Sequence, residues 1–375
     1  MSGAATPARA YPRVRISGEA ADRSRQYGEL AAAQIAIIRS GYERAFAAKG
    51  VEWEAAIRIA RGYLPAIERH APHLLVEIRG IAEGSGLPFD DILAINCRSE
   101  VLNGATRAKG AALRGECTSF AVEADRSPFR GAVVGQNWDW LEELEGGVVI
   151  LEVARPDGPD YVTLVEAGLL AKMVLTASGL ALGMNTLVSS RDAVTAGVPY
   201  HLQIRSVADA AHAAEALEIL AGMPRATSGN FVLADASGAI LNVEASPGGP
   251  DNLSITASDD GTLTHANHFT EPIVGGFDLA PIAMADSYAR LGRMRRRFAS
   301  VGGGFADADL RGALQDHVGY PNSVCCHPDE RSEPAARWKT LAGVLISPFD
   351  RRFGYTAGPP CESDWIELDY PEWRE

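Results

Sequence analysis

The sequence predicts an α+β layered fold with antiparallel sheets, on three observations. Between residues 119 and 185, short strand-like runs follow one another at even spacing with no helical stretch between them, the pattern of antiparallel pairing. Helical periodicity is gathered into separate blocks before and after that region. From Gly131 to Asp350 no stretch reads as a linker, so one domain is expected.

Taken in order, Met1 to Arg15 is small and basic without an apolar segment, and is read as a disordered lead-in with no signal peptide. Residues 20–49 repeat apolar side chains at three- and four-residue steps and stop at Gly50; 52–70 form a second helix ended by Pro72. A third helix, Leu74 to Ala82, is closed by Gly84-Ser85-Gly86, and a short fourth ends near Asn96. The Gly/Ala/Lys-rich run 104–116 reads as exposed and flexible. Strands are expected at Ser119–Glu123, Ala132–Asn137, Val148–Val153, Tyr161–Glu166, Ala171–Thr176 and Leu180–Asn185. Helix returns over 199–221, strands at Asn230–Ala234, Ala239–Glu244 and Leu263–Asn267, helices at 282–299 and 307–316, and strands at Thr340–Ile346 and Arg352–Thr356.

Composition narrows the function. A net charge of −13 repels phosphate backbones, which argues against nucleic acid as a partner. The basic cluster Arg290, Arg293, Arg295, Arg296 and Arg297 reads as a solvated helix face. No run approaches the ~20 apolar residues of a membrane span, so no membrane partner is expected. Five cysteines, an odd number, fit a reducing compartment such as the cytoplasm better than a disulfide framework. Cys325, Cys326 and His327 are consecutive, a poor spacing for metal ligands, and no metal is expected.

The residues leave Cys117 open. A lone cysteine at a strand edge is ordinarily a small buried hydrophobe. Two local features favour chemistry: the small-residue run before it, and the direct entry of Thr118-Ser119-Phe120 into a strand, which would fix Cys117 at the strand's first position. Were the Glu116–Cys117 bond cut, Cys117 would carry both a thiol and a free α-amine. Such an amine titrates at about 7.7–8, so it can take the thiol proton and return it to a leaving amine.

Further motifs make the chain recognisable: Gly80-Ile81-Ala82-Glu83-Gly84, Asp91 to Glu100, Glu116-Cys117-Thr118-Ser119 and, most specific, Gly135-Gln136-Asn137-Trp138-Asp139-Trp140. Weaker matches are Gly183 to Leu187, His265-Ala266-Asn267-His268 and Arg337 to Leu341. Through these the chain resembles the penicillin acyltransferase family (isopenicillin N acyltransferase-like, within the cysteine N-terminal-nucleophile hydrolases) and, more distantly, bile salt hydrolases and penicillin V acylase.

The resemblance implies a four-layer αββα sandwich and self-cleavage between Glu116 and Cys117. The helical segment 1–116 and the nucleophile-bearing segment 117–375 would stay associated in one domain. By residue matching it implies that Asp139 orients the new α-amine and that Asn267 donates its side-chain amide to the oxyanion. Asn185 would add its backbone N–H, and Arg337 would lie near the nucleophile as a fixed cation. Trp138, Trp140 and His268 are read as pocket residues. Two departures stand out: Glu116 where many relatives have glycine, and Ala336 where isopenicillin N acyltransferase has serine. The expected function is a self-processing cysteine amidohydrolase, made as a zymogen, that cleaves a linear, non-peptidic or isopeptide C–N bond of a small molecule through a thioester, without a cofactor. Two alternatives stay open: an N-acyltransferase using acyl-coenzyme A, and an unprocessed, non-catalytic binding protein. Homo-oligomerisation is also left open.

Overall fold

A computed structural model describes residues 9–109, 117–192 and 196–374. Strand β1 (Arg13–Ser17) comes first, then seven helices: α1 (Ala20–Leu30), α2 (Ala32–Ala48), α3 (Trp53–Arg61), α4 (Leu64–His70), α5 (Pro72–Ser85), α6 (Phe89–Asn96) and α7 (Arg98–Lys109). Six strands follow: β2 (Cys117–Val122), β3 (Val133–Leu141), β4 (Val148–Ala154), β5 (Tyr161–Glu166), β6 (Met173–Thr176) and β7 (Leu180–Thr186). Next come α8 (Tyr200–Val207), α9 (Ala213–Gly222), β8 (Gly229–Asp235), β9 (Ile240–Ala245), β10 (Leu253–Ala257) and β11 (Thr262–His265). The chain closes with α10 (Ala280–Ala283), α11 (Ser287–Ala299), α12 (Asp307–Leu314), β12 (Trp338–Ser347), β13 (Arg352–Thr356) and β14 (Trp365–Asp369).

The strands form two sheets. One runs β1-β4-β5-β6-β7-β8-β9-β10, the other β11-β2-β3-β12-β13-β14, and every named pairing is antiparallel except β1 with β4. They face each other through β2 and β3 against β7 and β8. Helices of the N-terminal block and α9 pack on the outer side of the eight-stranded sheet, while α11 and α12 pack on the six-stranded one. These are the four αββα layers that the resemblance implies. Burial follows the layers. One apolar cluster extends from Tyr11 to Tyr370, between the sheets and under the first helices. A second, around Phe120, Met294, Phe298 and Leu314, fills the space beneath α11 and α12.

Three differences from the sequence reading have physical causes. Arg13–Ser17 is a strand, not part of a disordered lead-in, because Val14 and Ile16 are buried while its backbone pairs with β4. Gly84 is not a helix breaker: α5 continues to Ser85 and ends at Gly86 in the left-handed region (φ 72°). Gly84 and Gly28 instead let α5 and α1 touch, since a Cβ at Gly84 would lie 2.0 Å from the Arg25 carbonyl oxygen and one at Gly28 2.4 Å from that of Ile81. Part of the 104–116 run is helical, in α7; residues 110–116, with Glu116, lie outside the described residues.

Candidate active site

Cys117 is the first residue of β2, opposite Trp138 of β3, and is buried (3% exposed) at the interface of the two sheets. Its surroundings explain the motif on β3. Alternation along the strand turns Gln136 and Trp138 toward the eight-stranded sheet, where Gln136 bonds both the N–H and the carbonyl of Met184, and Lys172 Nζ sits 3.6 Å above the Trp138 ring. Asn137 and Asp139 point to the opposite face. There Asn137 Nδ2 donates to the carbonyls of Leu314 and Val324, both at 2.7 Å. Gly135 is glycine because the Phe120 ring occupies the place of its side chain, 2.0 Å from where a Cβ would stand.

A polar cage surrounds the Cys117 backbone. Its N–H donates to Asn267 Oδ1 at 2.8 Å. Its carbonyl accepts from Arg290 Nη1 at 2.9 Å and Asn185 Nδ2 at 3.1 Å. Arg290 also donates to Asn267 Oδ1 and to Thr118 Oγ1, each at 2.9 Å. The Asp139 backbone N–H faces the thiol and favours its charged form. The Asp139 carboxylate accepts from Thr340 Oγ1 at 2.5 Å through Oδ1; Oδ2 meets no hydrogen-bond partner among the described residues.

The electrostatics of the cage set the protonation states. Burial pushes the Cys117 thiol up to about 11, against the pull of Lys172, the Asp139 N–H and Arg290. Burial likewise pushes the Asp139 carboxyl up to about 8, partly offset by the Thr340 hydroxyl and Arg290. Lys172 is pushed down to about 7 by burial, opposed by Glu166, whose Oε2 lies 2.9 Å from Nζ. In the intact chain Cys117 is therefore a protonated thiol, next to two groups that titrate near neutrality.

The structure brings together Cys117, Asp139, Asn267 and Asn185, but details differ from those implied. Asn185 meets Cys117 through its side chain, since its backbone is in the β7–β8 ladder opposite Asn230. Asn267 Nδ2 donates to the Thr186 carbonyl at 2.9 Å, and it is the Oδ1 side that faces Cys117. The cation beside Cys117 is Arg290, not Arg337, whose guanidinium bonds the carbonyls of Ser332 and Glu330 in its own loop. Arg290 is wholly buried, which corrects its reading as part of a solvated face. The signal was present. Ser287, Leu291, Met294 and Phe298 form the buried stripe of α11, and Arg290 falls on it. Lys172 was also missed, although a lysine inside an apolar strand-like run requires a partner.

Trp138 and Trp140 are both buried, Trp140 with its Nε1–H on Tyr42 Oη (2.9 Å), its ring beneath Arg98 and its edge against Trp338. His268 bonds Ser287 Oγ at 2.7 Å and stacks on Tyr288. A cavity of about 350 Å³ opens beside Trp338, between α2, Leu102 of α7, Leu141 and the loop at Ser332–Ala336. Trp138, Trp140 and His268 do not line it.

The chain is similar to known proteins. The chain is 25% identical over 297 residues, covering 78% of it and 77% of the relative, to the 40 kDa form of acyl-coenzyme A:6-aminopenicillanic-acid-acyltransferase of Emericella nidulans. Among solved structures it overlaps a mutant of conjugated bile acid hydrolase from Clostridium perfringens (TM-score 0.42, 12% identity, 68% of this chain and 97% of that one). It also overlaps penicillin V acylase from Agrobacterium tumefaciens (TM-score 0.39, 14% identity, 68% and 86%). Residues 128–361 match the family described as acyl-coenzyme A:6-aminopenicillanic acid acyl-transferase, and with well over half of its length matched the chain belongs to that family.

Proposed function

We propose that the chain is a self-processing cysteine amidohydrolase acting on a linear amide C–N bond of a small molecule. The observation that carries this reading is the placement of Cys117. It begins a central strand, its backbone nitrogen is held by Asn267, and the same cage contains an Asp139 carboxylate oxygen that is unpaired among the described residues.

In the first stage the Cys117 sulfur attacks the carbonyl carbon of Glu116. The C–N bond to Cys117 breaks, the nitrogen takes a proton, and water then hydrolyses the thioester. Of the two neighbouring groups that titrate near neutrality, Asp139 and Lys172, either can accept the thiol proton. After the cut, the nitrogen that now donates to Asn267 Oδ1 is the α-amine. Asp139 and Asn267 orient it, and it serves as the base for the thiol in the second stage. Cys117 attacks the substrate carbonyl, the amine proton passes to the leaving nitrogen, and water resolves the acyl-thioester. Amide donors of Asn267 and Asn185 would stabilise the oxyanion once Asn267 exchanges its bond to Thr186 for one to the tetrahedral oxygen.

Intact mass spectrometry of the purified protein beside Cys117→Ala tests the reading. Two masses for the wild type, split at Glu116–Cys117, and one for the variant are expected. A wild type that stays whole through prolonged incubation, or two proteins cut alike, refutes self-processing.

The printed name of the Emericella relative favours a second reading, in which an amine rather than water resolves the thioester and acyl-coenzyme A supplies the acyl group. Consumption of acyl-coenzyme A in the presence of an amine, faster than plain amide hydrolysis, would select it.

A further inference from the structure

Outside the cage, four side chains from distant parts of the sequence converge. The ligand atoms of His317, Cys325, His327 and Cys361 all lie within 4.8 Å of one another. His317 Nε2 is 3.1 Å from His327 Nε2, Cys361 Sγ is 3.3 Å from that same nitrogen, and Cys325 Sγ is 3.7 Å from it and 3.5 Å from Cys361 Sγ. A tetrahedral zinc ion with its usual bond lengths has edges of about 3.3 Å between nitrogens, about 3.6 Å between nitrogen and sulfur and about 3.8 Å between sulfurs. Four of the six edges fall within a few tenths of an ångström of these values, and the other two, from His317 to the two sulfurs, lie within 4.8 Å.

A second observation points to a ligand. On the far side of the His327 ring, Nδ1 lies 3.4 Å from Glu362 Oε1. A carboxylate behind an imidazole fixes the tautomer and raises the basicity of a metal-binding nitrogen. The backbone holds the set in place: Cys325 N–H donates to the Asp316 carbonyl and His327 N–H to that of Pro321, each at 3.0 Å. The spacing argument against Cys325-Cys326-His327 applies to three consecutive ligands. In the structure Cys326 is skipped, and the set is completed by His317 and Cys361.

We propose that His317, Cys325, His327 and Cys361 form a tetrahedral Cys2His2 site for a zinc-class divalent cation, structural in role because all four positions are taken by protein. Cys325 and Cys361 bind as thiolates, each releasing its proton to solvent. The ion ties the loop after α12 to the segment after β13. Between two of its ligands, Cys326 donates its N–H to Thr340 Oγ1 and accepts the Thr340 N–H, both at 2.9 Å, and Thr340 in turn holds Asp139. The site thus braces the carboxylate of the cage from behind.

The test uses full-length protein purified under reducing conditions without a histidine tag. Elemental analysis is expected to give close to one zinc per chain in the wild type and in Cys117→Ala. Titration of metal-free protein with Co2+ is expected to give tetrahedral ligand-field bands with thiolate charge transfer. Cys361→Ser and His317→Ala, both at the surface, should each weaken Co2+ binding at least ~tenfold. The proposal is overturned by trace zinc in protein with all thiols reduced, by an octahedral Co2+ spectrum, or by metal content unchanged in both surface variants. It is also overturned if mass spectrometry finds metal-free protein with a Cys325–Cys361 disulfide.

Discussion

Asp139 illustrates how a single residue is bound by opposing demands. Its carboxyl is wholly buried, with one oxygen on Thr340 and the other unpartnered among the described residues. Burial raises its folded value to about 8 from the ordinary 3.8. The folded state therefore holds a proton that the unfolded chain releases between those two values, so this residue's contribution to stability falls as pH rises from about 4 to 8. Asparagine keeps the acceptor for Thr340 and removes the titration. In a Cys117→Ala background, where the chain stays whole, Asp139→Asn should raise the thermal midpoint by several degrees at pH 8 and change it little at pH 4. With Cys117 present, the same substitution should slow self-cleavage, by at most the ~10²–10⁴-fold of removing an acid–base group, since Lys172 remains to take the thiol proton. Mass-resolved time courses and melting curves at the two pH values measure both; a variant that melts lower at pH 8 would contradict the sign. The sequence marked Asp139 through its six-residue block. It marked Arg290 only as one of five arginines, because burial of a charge depends on partners brought by other elements, here Cys117, Thr118 and Asn267.

At the scale of elements, α11 builds the cage from outside. Ser287, in its first turn, accepts the backbone N–H of Asn267 and bonds His268 Nδ1, each at 2.7 Å, and Arg290 follows one turn later. Burial pushes His268 down to about 4, so at neutral pH the ring is uncharged and Nδ1 can accept the Ser287 hydroxyl proton. One serine thus holds both the Asn267 backbone and the neighbouring His268 ring. Ser287→Ala leaves a buried N–H unpaired, which costs about 1–3 kcal/mol. We expect a lower denaturation midpoint of that size, together with slower self-cleavage and slower turnover but little change in KM. An unchanged cleavage rate with the same loss of stability would reduce Ser287 to a packing role. Most internal strands were legible, because β4, β5 and β7 are mostly apolar and buried on both faces, while β3 is buried throughout with apolar ends around its polar motif. β1, β10 and β14 were not. They are five-residue strands at sheet edges, each with two or three exposed positions that interrupt the apolar pattern, and β1 in addition pairs with β4, remote in sequence. The break between α1 and α2 at Ala31 was also hidden, since both helices keep the same apolar periodicity across it.

On the scale of the whole molecule, the proposed cut would leave residues 1–116 as a separate chain, yet nothing in the packing treats that segment as a separate body. β1 extends the eight-stranded sheet by pairing with β4, and Tyr11 Oη donates to the Leu341 carbonyl at 2.6 Å. Asn96 Nδ2 donates to the Gly168 carbonyl and Asn103 Nδ2 to Thr227 Oγ1, both at 2.8 Å. Glu77 accepts from Arg205 at 2.6 and 3.1 Å and from Arg23 at 3.0 Å, with every one of these side chains buried. Arg98 lies against Glu166 and Tyr42 hydrogen-bonds the same carboxylate. Buried ion pairs of this kind are little screened by salt, and the apolar core they cross runs through both segments. The two pieces should therefore co-elute on size exclusion in dilute buffer and in ~1 M salt, where the Debye length is only about 3 Å. They should separate only in denaturant, in a single transition that takes the helices and the strands together. Arg205→Met tests the role of the crossing ion pairs. Leaving Glu77 short of one partner should lower stability by ~3–5 kcal/mol and shift that shared transition to lower denaturant without splitting it. Two separate transitions, or release of the N-terminal piece in salt alone, would mean that the segments fold independently and that the cut chain is held together by surface contacts only.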